Sequence, residues 1–446
     1  MAHPMQHRKW TGGVDLRMTV ASMAVAILLI VMAWQPIEAQ TFATLHGFSG
    51  PDGATPTAGL TMDAAGDLYG TTQYGGTAGY GSVFKLVHTG STWILHQLYS
   101  FPSIYSGRND GAEPYAGVTI GPDGNLYGTN TLGSGSSNYG TVFKLSPPAS
   151  VCKSTMCPWT ETILYRFSGG SDGGYPYGPV VFDSVGNLYG TTESGGMTCG
   201  QNFTCGVVFK LTRSGSGWTE TVLHAFLNSP DGAIPASGLV FDQAGDIYGT
   251  TSGGGTGLNC ESNGCGTVFQ LMPSGSGWTE NVLHSFTYSN NDGAVPQGGL
   301  ISDSSGSLYG TTVFSPNNNG NGTVFELTPS GGQWTYTLLS SLPEMFFGIT
   351  GPFGSLVMDA TGNLYGTTIG SGDAYGSGLC QYGCGTVFKL TPSAGAWTFS
   401  LLYEFAGGAD GAHPYDGVIL DRNGNLYGTA STAGARGDGV VFEITP

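Results

Sequence analysis

The carboxylates recur with a spacing that chemistry could use. Asp52, Asp110, Asp172, Asp231, Asp292 and Asp410 each precede a glycine in a repeated Asp-Gly-Ala-x-Pro-type segment; Gly348 takes the place in one copy. A ring of such acids could bind calcium or polarise a sugar hydroxyl. An Asp before Gly also caps its own turn through side-chain-to-backbone hydrogen bonds, and near-identical repetition favours that structural role. Calcium is therefore the only cofactor these acids admit, and no resident cofactor or metal centre is expected. A second set, Asp63, Asp183, Asp242, Asp303, Asp359 and Asp421, opens D-x-x-G turns, with Asp123 two residues late in its copy. These read as hairpin turns. His46, His224 and His284 align with Tyr99, Tyr165, Ser340 and Tyr403. A position that accepts all three residue types is not a catalytic histidine.

The informative residues are those that break the repeat. Glu113, Glu193, Glu261, Asp373, Asp416, His413, Tyr115, Tyr177, Tyr382 and Tyr415 fall in the variable segments. Tyrosines among few charges suit stacking on sugar rings, with acids bonding hydroxyls. Tyr115, Tyr177 and Tyr415 share one repeat position, just ahead of a first strand. Glu113, Glu193, Glu261 and Asp373 could also supply the carboxylate pair of a glycoside hydrolase or lyase. No HExxH or phosphate-binding loop is present, which argues against those enzyme classes.

The elements that must carry these residues follow from self-similarity. Segments of LYGT type recur around Tyr69, Tyr127, Tyr189, Tyr248, Tyr309, Tyr365 and Tyr427, 56 to 62 residues apart. Thirteen residues before each lies a proline: Pro56, Pro114, Pro176, Pro235, Pro296, Pro352 and Pro414. Each unit holds four strand-like pieces; in the fourth they are 238–242, 246–251, 266–271 and 278–286, with turn residues 273–277 between the last two. The six tryptophans that open fourth strands (Trp93 to Trp397) read as blade packing. Four strands per unit, seven times over, predict an all-β, seven-bladed propeller. The chain ends on a third strand, and residues 41–48 match the second half of a fourth. The N-terminal strand is therefore expected to complete the last blade and remove its unpaired edge.

The unit D-G-A-x-P … D-x-x-G-N-L-Y-G-T-T … G-T-V-F-K-L resembles the GloVer (Gloeo/Verruco) tandem repeat of bacterial exported proteins. The resemblance implies repeat architecture and export. It supplies no reaction and no catalytic residues.

Composition sets the compartment and the partners. Residues 1–39 read as a signal peptide, with Arg8, Lys9 and Arg17 ahead of an apolar run and Ala39 at the cut; residues 40–446 form one propeller domain. No membrane insertion beyond the leader is expected, and no C-terminal anchor. Eight cysteines form four close pairs: Cys152 with Cys157, Cys199 with Cys205, Cys260 with Cys265 and Cys380 with Cys384. In an exported chain these are expected to be four disulfides; without paired CxxC or a neighbouring His they are not zinc ligands. Net charge is -17 and no basic cluster is visible, so no nucleic-acid partner is expected, and the same balance argues against highly anionic polysaccharides and anionic membranes. The expectation is a secreted or cell-surface monomer, a non-catalytic binding or scaffold module for a neutral glycan or an envelope protein. A carbohydrate-active enzyme and a purely structural surface protein are the alternatives.

Overall fold

Alternating apolar residues and glycine turns fold each repeat into an antiparallel four-stranded sheet. The computed structural model describes residues 40–90, 92–105, 110–133, 138–148, 159–200, 203–257, 259–260, 263–289, 292–316, 321–343, 351–370, 380, 383–393 and 395–445. The leader, Glu261, Asp373, Tyr382, Cys152 and Cys157 lie outside them. Seven four-stranded sheets form, each in the order first to fourth strand, and among the described residues no helix occurs. Residues Phe42–Thr445 pack as one compact unit.

Blade 4 shows the pattern, with strands Val240–Phe241, Ile247–Thr251, Thr267–Ser274 and Gly277–Ser285. The first strand is shorter than its apolar pattern predicts. The glycines that precede first strands press against neighbouring blades; in blade 5, a Cβ on Gly298 would come within 2.4 Å of the Gly354 carbonyl oxygen. The third strand is longer than predicted and runs through Pro273, which pairs with Trp278. Pairing with the second strand has stopped at Leu271, so the missing N–H of Pro273 costs no ladder bond there.

Closure is as the sequence implies. The last sheet joins Ile419–Leu420, Leu426–Ala430 and Val440–Thr445 to the N-terminal strand Thr41–Gly47. Phe48 then donates its N–H to the Gly439 carbonyl at 3.0 Å, the bond that Phe101, Phe167, Phe226, Phe286, Leu342 and Phe405 make in the other blades. Six of these side chains are fully buried phenylalanines. Each lies edge-on to a phenylalanine of the next blade's third strand, as in Phe48–Phe84 and Phe226–Phe269, with centroids 5.1–5.4 Å apart. The glycine of every LYGT segment is required by that third-strand ring. A Cβ on Gly70, or on its six counterparts, would come 2.5–2.7 Å from the phenylalanine Cζ.

A second ring of contacts runs nearer the axis. The first threonine of each LYGT segment donates to the next blade's axial turn: Thr71 to Ala116, Thr129 to Gly178, Thr191 to Ser237, Thr250 to Gly298, Thr311 to Gly354, Thr367 to Asp416 and Thr429 to Ala58. The last of these spans 371 positions of sequence at 2.7 Å and shuts the circle.

Candidate axial cup

The repeat proline aims a side chain at the axis. The residue before it is left-handed in six blades, with φ of 56–61° at Thr55, Glu113, Tyr175, Ile234, Val295 and His413. That conformation is costly without glycine. Here it is held by two backbone bonds per residue. The N–H donates to the preceding blade at 2.7–2.9 Å, and the carbonyl accepts from the residue just past the same blade's second strand. Proline then fixes the turn, and the next residue points inward.

Those next residues are Thr57, Tyr115, Tyr177, Ala236, Gln297, Phe353 and Tyr415, one per blade, and all seven line a cavity of about 340 Å³ at the axis. Tyr115 and Tyr177 meet edge to face at 5.0 Å, and Phe353 and Tyr415 do so at 5.9 Å. Thr57, in the blade between the two pairs, donates to the Tyr115 carbonyl at 3.2 Å. At this position blades 4 and 5 carry Ala236 and Gln297, so no aromatic ring enters the cup from it in those two blades. Burial and the neighbouring Tyr415, Tyr177, Asp416 and Glu193 push the Tyr115 phenol well above its ordinary value. Burial, Glu193 and Glu113 push Tyr177 up to about 12. Both phenols are therefore neutral donors near neutral pH.

Two acids line the cup and behave differently. Asp416 accepts backbone N–H groups from Gly59 at 2.8 Å, Gly417 at 2.7 Å and Ser355 at 3.4 Å. It ties blade 7 to blades 1 and 6, so its carboxylate is occupied by the floor of the cup. Glu193 follows the second strand of blade 3, where other blades carry Gln73, Thr131, Ser252, Val313, Ile369 and Ser431. Burial alone pushes its carboxyl up. None of the cup's described lining residues is Lys, Arg or His.

Of the other candidates, Glu113 and His413 do not line the cup. The charge of Glu113 acts on the Tyr177 phenol, and burial pushes its own carboxyl up despite a hydrogen bond from Gln73. His413 shares a hydrogen bond of 2.7 Å between Nδ1 and Thr432 Oγ1, and burial pushes its pKa down. Phe353 and Gln297 were missed by sequence reasoning. Phe353 occupies the tyrosine position, and the signal was available: it follows a repeat proline.

The repeated acids are structural. Asp52, Asp231 and Asp292 bond His46, His224 and His284 at 2.9–3.0 Å, and Asp110, Asp172 and Asp410 accept from Tyr99, Tyr165 and Tyr403. The D-x-x-G acids accept the N–H groups of their own turns and the tyrosine hydroxyl of the LYGT segment, as Asp183 does from Val185, Asn187 and Tyr189. Among the described residues no cluster of three or more His, Cys, Asp or Glu is arranged to hold a metal.

Three of the four expected disulfides form among the described residues: Cys199–Cys205, Cys260–Cys265 and Cys380–Cys384. The fourth, expected between Cys152 and Cys157, is not among them, because Cys152 and Cys157 both lie outside the described residues. The three bridges brace the loops outside the cup. The carbonyls of Cys205, Cys265 and Cys384 accept the N–H of the left-handed residue of the next blade.

These repeats place the protein in a family of bacterial ring-forming repeat proteins. The Gloeobacter/Verrucomicrobia repeat matches residues 30–203, 108–260, 198–381 and 256–446, and the chain belongs to that family. No curated protein matches it. Among solved structures it is similar to PorZ, an essential bacterial surface component of the type-IX secretion system of Porphyromonas gingivalis, at 15% identity and a TM-score of 0.50. The match covers 90% of this chain and 48% of PorZ, so the chain spans about half the length of that protein. An oxidoreductase (glucose dehydrogenase) of Thermus thermophilus matches at 13% identity and a TM-score of 0.42, over 91% of this chain and 100% of that one. A protein of unknown function from Dyadobacter fermentans matches at 11% identity and 0.43, over 92% and 100%. At these identities the likeness is one of fold.

Proposed function

We propose that this is an exported binding propeller whose axial cup holds a glycan free of anionic groups. The observation that carries this is the aromatic quartet, Tyr115 with Tyr177 and Phe353 with Tyr415, around a cavity of about 340 Å³. That volume is at the small end of ligand pockets and suits one or two sugar rings. Rings held by proline-fixed backbone offer stacking surface at little entropic cost. The acids Glu193 and Asp416, with no cation in the described lining, disfavour anionic sugars. Glycosidase chemistry would need two free carboxylates about 5–9.5 Å apart. Asp416 is already bonded to three backbone N–H groups, which favours retention of the sugar over turnover. The leader at residues 1–39 and the three disulfides support export to an oxidising compartment.

The test is a glycan array on the purified protein, with Tyr177→Ala in parallel. Retention of a neutral or amine-bearing glycan, lost in the variant, is the expected result. A blank array, or binding that survives Tyr177→Ala, overturns the reading.

A further inference from the structure

Glu193 is the one cup-lining acid whose carboxylate has no hydrogen-bond donor among the described residues. Its backbone is rigid: the N–H donates to the Tyr175 carbonyl at 3.0 Å, at the end of a strand. The side chain therefore projects from a fixed point into a half-buried site. Blade 3 alone carries an acid at this position, so the ring does not need it. A partly buried carboxylate with no cation beside it is unfavourable until a ligand supplies one. Tyr115 and Tyr177 both feel the Glu193 charge, so the acid and two aromatic rings converge on one corner of the cup. Aromatic faces also attract cations. A net charge of -17 favours approach of a cationic ligand.

We infer that the sugar held in the cup presents a free amino group to Glu193, as in a 2-amino-2-deoxysugar. This rests on the glycan reading above and narrows it to a substrate class. The protonated amine would donate a charge-assisted hydrogen bond to the carboxylate and lie against the tyrosine pair. An acetamido group at the same carbon keeps one N–H donor and loses the charge. A hydroxyl keeps a donor and loses the charge too. Comparison of the three sugars therefore isolates the ammonium.

The experiment is isothermal titration of the purified protein, at about pH 7, with β-1,4-linked trimers of glucosamine, N-acetylglucosamine and glucose. The glucosamine trimer should bind about tenfold more tightly than the other two. That advantage should vanish in Glu193→Gln and shrink as salt is raised on the unmodified protein. Equal binding of all three trimers overturns the inference and leaves the glycan reading standing. So does a preference that survives in Glu193→Gln or does not respond to salt. If none of the three binds, the inference fails; the glycan reading falls with it only if the array is blank as well.

Discussion

Asp183 and Glu193 belong to the same blade and lie at the two ends of its second strand, yet they are held in opposite ways. Asp183 accepts from the N–H groups of Val185 and Asn187, the Asn187 side chain and the Tyr189 hydroxyl, at 2.7–3.0 Å. Burial opposes its charge, but those bonds outweigh burial and hold the carboxyl below its ordinary range. The Glu193 carboxylate is buried with no donor among the described residues, and burial moves its carboxyl up. The first residue is repeated around the ring and closes a turn; the second interrupts the repeat and faces a cavity. In a repeat protein, an acid that recurs with its own donors is part of the frame. An acid that appears once without them is free for a ligand.

The comparison yields predictions in order of size. Removing the frame where the circle closes should do the most damage. Phe48 is fully buried against Phe84, and Phe48→Ala should cost about 3–5 kcal/mol in denaturant unfolding. Little change there would mean that the N-terminal strand does not close the ring. Asp183→Ala leaves a turn and the Tyr189 hydroxyl unpaired and should cost about 1–3 kcal/mol.

A third prediction concerns three glutamates between blades. Glu161, Glu220 and Glu280 occupy one fourth-strand position, and each has an Oε1 buried without a partner. Burial, with the charge of Asp110 on Glu161 and of Asp172 on Glu220, pushes these two up to about 8 and about 7. Burial and Asp231, against the lowering charge of His224, bring Glu280 to about 7. The folded chain thus keeps protons that the unfolded chain has already released above its ordinary carboxyl value. Their contribution to stability is full at low pH and falls as pH rises through about 7 and 8, then levels. Glu161→Gln should flatten that loss and add about 1–2 kcal/mol at alkaline pH. A pH profile of the melting midpoint unchanged by the substitution would contradict it. Smallest of all, Glu193→Gln should leave stability within about 0.5 kcal/mol, because no bond of the ring is lost; a larger loss in thermal unfolding would place Glu193 in the frame.

The ring was legible because its signals repeat. Constant spacing from proline to tyrosine, four strands per unit and an unfinished last unit specified seven blades and their closure. Close cysteine spacing likewise specified the three bridges seen; the expected bridge of Cys152 with Cys157 rests on spacing alone, both cysteines being outside the described residues. The cup was only partly legible. Tyr115, Tyr177 and Tyr415 were visible as a shared position, but Phe353 was hidden by counting one residue type instead of one place in the repeat. The tie made by Asp416 could not be read at all, since its partners Gly59 and Ser355 lie 357 and 61 positions away. The inter-blade glutamates follow from strand alternation, which turns Glu161, Glu220 and Glu280 inward between exposed neighbours. Their composition alone suggests a solvated face.

The most direct test measures saccharide affinity and thermal midpoint together, on Tyr177→Ala/Tyr415→Ala and on Asp183→Ala. The double tyrosine variant should lose the sugar and keep its midpoint, while Asp183→Ala should melt earlier and still bind below its transition. Sugar binding that survives loss of the tyrosines, or disappears with Asp183 while the fold is intact, would contradict the division between ring and cup.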